Sequence, residues 1–259
     1  MQVKPKKALG QHFLNDLGVA RRIAATLDAY SLPVLEIGPG MGVLTRFLLE
    51  DGHDLSVVEI DTESVAWLKD NMPQLDPAKI IADDFLKMDL DALFPGQKFC
   101  IIGNYPYNIS SQIFFRLLDV RDRVVCCSGM LQREVAERLA APPGTKARGI
   151  LSVLLQMWYD VEYLFTVSES VFTPPPKVKS GVIRLTRNAV TDPGCDFALF
   201  RNVVKTTFGQ RRKTIRNSVR ALCPPGTLPD VPDLLPLRPE QLAVSDFVRL
   251  TNAVAALRE

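Results

Sequence analysis

A chain of 259 residues, 47% of them hydrophobic, can bury a full core and is long enough for one large domain plus a smaller one. Its formal net charge of +2 says little by itself. No apolar run approaches the roughly 20 residues of a membrane helix, and five cysteines without a CxxC pair, beside only two histidines, argue against a disulfide framework, a zinc site, a histidine metal cluster or a serine-hydrolase triad.

Taken in chain order, MQVKPKKALGQHF lacks the apolar core of a secretory leader, so a cytoplasmic protein with no membrane partner is expected. PVLEIG at 33–38, LSVVEID at 55–61, KIIAD at 79–83 and KFCIIGN at 98–104 read as strands; VLTRFLLE, SVAWLKD and SSQIFFRLLD supply helices. Strands alternating with helices at this spacing imply a parallel sheet covered on both faces. RVVCCSGML and QREVAERLAA add a fifth strand and helix. After the breaker APPGTKARG come a long apolar helix, ILSVLLQMWYD, and two strands, VEYLFTVS and SGVIRLTR, that would close the far edge of the sheet. Between those two strands the prolines of VFTPPPKVK forbid regular structure and predict an extended loop. NAVTDPGCD marks a boundary: residues 1–190 read as an α/β domain and 191–259 as a small helical one. Between Arg201 and Arg220 there are seven basic residues and no acidic one, which reads either as a localised polyanion contact or as a solvated helix face.

EIGPGMG places Gly38, Gly40 and Gly42 directly after the first strand, where a tight turn and close backbone approach to a ligand are needed. The dinucleotide fingerprint is GxGxxG. Here the third glycine comes one residue early and Glu36 precedes the first by two, a form more often met around S-adenosylmethionine, although the turn alone leaves both cofactors open. Further acids fall at successive strand ends, the crevice that open α/β sheets use for binding. Glu59 is placed to accept from ribose hydroxyls, and Asp84, with Asp83 as its rival, to accept from an adenine amino group.

The fourth strand ends in Asn104, Tyr105, Pro106 and Tyr107, which match the [DN]PPY-like loop of amino-group methyltransferases. An adenine N6 is a poor nucleophile because its lone pair is delocalised into the ring. Two acceptors, the Asn104 side-chain oxygen and the Tyr105 carbonyl, can hold both amine hydrogens and draw the nitrogen towards tetrahedral geometry, freeing that pair. Pro106 stiffens the loop, and Tyr107 offers a ring for the base to stack on. In-line attack on a sulfonium methyl needs positioning more than a strong general base, and no metal.

Seven motifs in order, GQHFLND, EIGPGMG, VVEID, DDFL, GNYPYNIS, FTPPPKVKSGVIRL and QRRKTIRNS, give the chain from about Lys6 to its C-terminus a resemblance to the bacterial rRNA adenine N6,N6-dimethyltransferase family. The resemblance implies a Rossmann-like S-adenosylmethionine-dependent methyltransferase sheet with a small C-terminal helical domain. It also implies dimethylation of two adjacent adenosines near the 3′ end of small-subunit (16S) rRNA in a pre-30S particle; no obvious dimer seam appears in the sequence, so a monomer is expected. The resemblance makes His12, Leu14 and also Asn104 cofactor contacts, stacks Phe172 on the flipped adenine opposite Tyr107, and puts Arg211, Arg212, Lys213 and Arg216 on RNA phosphates. From the residues alone, GQHFLND reads as a helix start capped by Asn15 or Asp16, and Phe172 as a core phenylalanine. Two departures stand out: Tyr105 where the family usually has leucine, and His12 where many members have asparagine. The competing readings are a large-subunit rRNA methylase conferring antibiotic resistance, a non-catalytic RNA-binding assembly or transcription factor on the same fold, and a nicotinamide dehydrogenase.

Overall fold

The computed structural model describes residues 3–6 and 9–258. Its strands are β1 (Phe13–Leu14), β2 (Val34–Ile37), β3 (Leu55–Glu59), β4 (Ile80–Ala82), β5 (Phe99–Asn104), β6 (Val124–Gln132), β7 (Tyr159–Val167), β8 (Phe172–Thr173) and β9 (Ser180–Arg187). Its α-helices are α1 (Leu17–Ala24), α2 (Thr45–Glu50), α3 (Thr62–Asn71), α4 (Ser110–Asp119), α5 (Arg133–Ala140), α6 (Ile150–Gln156), α7 (Phe197–Gly209), α8 (Ile215–Ser218) and α9 (Val244–Ala255). Among the described residues no helix is long and apolar enough to cross a membrane.

Seven strands form one sheet in the order β4-β3-β2-β5-β6-β9-β7. The pairs from β4 through to β6 are parallel, and β9 returns antiparallel to β6. Every residue of β2 and β3 is buried, as expected of strands covered on both faces, where a continuous apolar run replaces alternation. The order of addition reverses between β2 and β5: β3 and β4 are laid down on one side of β2, β5 and β6 on the other. Loops leaving β2 and β5 therefore diverge and leave a crevice at their carboxyl ends.

By its internal contacts the chain divides into two compact units, the first comprising the described residues up to Ala136 with Val161–Arg187, the second Glu137–Asp160 with the described residues from Asn188 on. The second unit thus includes α6, which a division at residue 190 leaves with the N-terminal part. The reason is packing: Leu151, Val153, Leu154 and Leu155 of α6 are buried, and α6 packs on α7. In that unit Phe247 of α9 lies 6.4 Å from Phe200 and 6.0 Å from Phe208, both on α7.

Two expectations need correcting. The helix read at 150–160 stops at Gln156, and strand β7 begins at Tyr159, where a run of aromatic and β-branched residues favours extended backbone. The loop VFTPPPKVK is not wholly irregular: ahead of its prolines, Phe172 and Thr173 pair antiparallel with Leu14 and Phe13. Further bonds join the same two segments, from Asn15 N to the Val171 carbonyl (2.8 Å) and from Asn15 Nδ2 to Thr173 Oγ1 (2.6 Å). Asp16 caps α1, its carboxylate accepting from Val19 N at 2.9 Å.

Candidate active site

The crevice is a pocket lined from the segment before α1, the β2 turn, the end of β3, the loop after β4 and the loop after β5. Gly38, Gly40 and Gly42 carry the β2 turn with φ of 65°, 56° and 67°, left-handed values that glycine adopts without strain. Space matters too, since a Cβ on Gly40 would stand 3.1 Å from the Phe13 ring.

Two buried carboxyls face this turn and are treated differently. Glu59, 5% exposed, accepts from Gly40 N (3.1 Å) and Asp61 N (2.9 Å). Burial raises its pKa, and those two backbone N–H groups hold it back. Glu36, 1% exposed, accepts from Thr45 Oγ1 (2.7 Å) and from nothing else among the described residues. Burial pushes it up to about 8, against the Thr45 bond and with some help from Glu59. Asp83 and Asp84 both line the pocket. Asp83 accepts from Asp84 N (2.7 Å), and Asp84 accepts from Leu86 N (3.0 Å) and pairs with Lys87 (3.4 Å).

At the end of β5, Asn104 Nδ2 donates to the His12 carbonyl at 3.2 Å, which turns Oδ1 the other way. Among the described residues nothing donates to that Oδ1 or to the Tyr105 carbonyl. The Tyr105 side chain goes into the core: its hydroxyl donates to the Ser128 carbonyl at 2.6 Å, and its ring meets Phe114 edge-on at 5.8 Å. Room for that ring comes from β5 and β6, because a Cβ on Gly129 would lie 2.3 Å from the Gly103 carbonyl oxygen and 2.7 Å from the Tyr105 ring. Pro106 and Tyr107 line the pocket. Tyr107 is hydrogen-bonded to Ser180 Oγ at 2.5 Å, and the His12 ring, whose Nδ1 lies 2.8 Å from the Pro174 carbonyl, stands 5.5 Å from its own.

The pocket thus gathers His12, Leu14, Glu36, Gly38, Gly40, Glu59, Asp84, Asn104, Tyr105, Pro106 and Tyr107. It does not gather Phe172, which is 3% exposed, packs in the hydrophobic core and is absent from the lining. Its backbone pairs with that of Leu14, which reaches both the core and the pocket wall, but the Phe172 side chain packs in the core alone. Sequence reasoning missed Ile60, 53% exposed on the pocket wall, and, outside the lining, Asp61, which receives Lys6 Nζ at 2.5 Å and Gln11 Nε2 at 3.1 Å. The available signal was position: both directly follow the strand-end acid Glu59.

Arg211, Arg212 and Lys213 lie in the turn after α7, and Arg216 lies on α8. Arg211 donates to the Lys146 carbonyl and lies 3.7 Å from Glu240. Lys213 bonds Gln210 at 2.9 Å, whereas Arg212 and Arg216 are exposed and carry no ion pair among the described residues.

The sequence model described as ribosomal RNA adenine dimethylase matches residues 2–250. The chain is similar to the ribosomal RNA small subunit methyltransferase A of Parabacteroides distasonis, 67% identical over 96% of this chain and 93% of that one. It is also similar to that of Flavobacterium johnsoniae, 53% identical over 98% and 97%. Among solved structures it resembles a dimethyladenosine transferase from Plasmodium falciparum (TM-score 0.76, 25% identity, 92% of this chain and 96% of that one). It also resembles the 23S rRNA methyltransferase ErmE (TM-score 0.69, 25% identity, 94% and 99%). The fold is the Rossmann-like one of S-adenosylmethionine-dependent methyltransferases. With a family model spanning nearly the whole chain and relatives above half identity along its full length, the chain belongs to the ribosomal RNA adenine dimethylase family.

Proposed function

We propose that this protein is an S-adenosylmethionine-dependent N6,N6-dimethyltransferase acting on two adjacent adenosines near the 3′ end of 16S rRNA during assembly of the small subunit. One observation carries the reading: two acceptors, Asn104 Oδ1 and the Tyr105 carbonyl, stand without donors at the rim of a pocket lined by four carboxyls, Glu36, Glu59, Asp83 and Asp84. Among the described residues no lysine or arginine lines that pocket, which suits a cationic ligand. When bound, S-adenosylmethionine supplies an electron-poor methyl carbon on a sulfonium. Gly38, Gly40, Glu36, Glu59, Asp84, His12 and Leu14 would hold it, with Glu59 keeping acceptor capacity for ribose hydroxyls beyond its two backbone donors. Asn104 and the Tyr105 carbonyl accept the two amine hydrogens of the target adenine and turn its nitrogen lone pair outward. Tyr107 and His12 present the aromatic surface for the extruded base. Stacking from Phe172 would require it to leave the core it now fills. In the second unit, Arg212 and Arg216, with Arg211 and Lys213, would contact RNA phosphates, which position without reading sequence.

The test is incubation of the purified protein with undermethylated small subunits and labelled donor, followed by RNA digestion. Dimethyladenosine in 16S rRNA is the expected result. Label in large-subunit RNA alone, or none in either, would overturn the assignment.

A further inference from the structure

The two buried acids that flank the glycine turn are unequally supported. Glu59 has a backbone N–H for each oxygen, whereas Glu36 has one hydroxyl, from Thr45 on α2. A buried carboxylate is stable when donors or a cation compensate the water it has lost. Among the described residues the titratable groups that line the pocket with Glu36 are Glu59 from β3, Asp83 and Asp84 from the loop after β4, His12 from the segment before α1, and Tyr105 and Tyr107 from the loop after β5. None is a lysine or arginine, and Lys6, further along the N-terminal segment, is engaged by Asp61 and Glu63. Among the described residues the Glu36 carboxyl therefore has no counter-charge, and a cationic ligand in the pocket would bring one.

We propose that Glu36 releases a proton when the sulfonium donor enters the pocket and takes one back once the donor has become a neutral thioether, so that the pocket favours the charged cofactor over its demethylated product. The inference rests on the S-adenosylmethionine reading. On entry the carboxyl O–H bond breaks, its electron pair stays on oxygen and the proton passes to buffer. After methyl transfer the S–C bond has broken with its pair on sulfur, the cation is gone, and the carboxylate binds a proton from buffer. The proton displaced from adenine N6 leaves separately to solvent.

Calorimetry of the full-length protein at pH 7, in buffers of different ionisation enthalpy, measures the protons exchanged on binding. With burial pushing the free carboxyl up to about 8, S-adenosylmethionine is expected to release most of one proton and S-adenosylhomocysteine far less. Glu36→Gln keeps an acceptor for Thr45 without a proton to lose. It is expected to abolish the difference in release and to weaken S-adenosylmethionine about tenfold relative to the thioether, while His12 remains in both proteins. Thr45→Val removes the one donor to Glu36 and should extend release to higher pH; near-ultraviolet circular dichroism checks that both variants are folded. Equal release with the two ligands, or undiminished release from Glu36→Gln, would overturn the proposal while leaving the cofactor assignment intact. Absence of any S-adenosylmethionine binding would overturn both.

Discussion

The floor of the pocket and its rim treat polar atoms in opposite ways. On the floor, Glu59 is already braced: each oxygen receives a backbone N–H, so the carboxylate holds the glycine turn and the start of α3 in place while keeping lone pairs for a ligand. At the rim, Asn104 is tied down only through its amide nitrogen, and its oxygen and the neighbouring Tyr105 carbonyl receive nothing. Satisfied groups define a shape. Acceptors left open on the pocket wall are free for a ligand's donors.

The contrast breaks most visibly at the rim. Asn104→Ala should lower methyl transfer by about 10²–10³-fold, the usual cost of deleting one positioned polar group that acts in the transition state. Binding of S-adenosylmethionine, measured by calorimetry, should change little, because Asn104 is not part of the floor. Unchanged single-turnover rates would show that the rim acceptors are not used.

Beneath the rim, Gly129→Ala forces a methyl group against the Gly103 carbonyl and the Tyr105 ring. A loss of about 1–3 kcal/mol in urea unfolding is expected from such overpacking. Tyr105→Phe sharpens the comparison further. It removes only the hydroxyl that bonds the Ser128 carbonyl, so stability should fall by about 1–2 kcal/mol while turnover persists, since the acceptor at this residue is backbone. A large loss of kcat without a change in unfolding would place the side chain, not the carbonyl, at the substrate.

On the floor, Glu36 should make the empty protein pH-sensitive. Its folded pKa of about 8 lies above the unfolded value, so the folded state binds the extra proton and stability falls as pH rises from about 4.5 to 8, then levels. Glu36→Gln should flatten that slope in chemical denaturation series. The smallest effect belongs to the basic turn. Replacing Arg212 or Arg216 by alanine should reduce the salt dependence of RNA binding by about one unit of slope for each phosphate no longer neutralised. Arg211→Ala should do less, because Lys146 and Glu240 already hold that guanidinium.

Much of the site was legible because each part depends on chain position. Glu36, Glu59 and Asn104 end apolar runs that are buried on both faces, and Asp84 follows the shorter edge strand β4; such runs predict where a parallel sheet ends and its crevice opens. Phe172 was not legible in the same way. An aromatic beside three prolines can face a pocket or a core, and the packing around it puts it in the core. Asp83 and Asp84 stayed ambiguous for a related reason, since neighbours in an extended chain point to opposite sides until the following turn bends them to the same wall.

The amino-acid sequence by itself determined the order of the main strands and helices of the sheet, the glycine turn and the chemical kind of every group near the crevice. Those follow from local propensity and from residues adjacent in the chain. Only the tertiary structure decided that Tyr105 turns inward between Gly103 and Gly129, that α6 belongs with the C-terminal unit, and that Glu36 has one donor where Glu59 has two. Each of these depends on which distant segment arrives opposite a given side chain, and burial energies and hydrogen-bond satisfaction are set by that meeting.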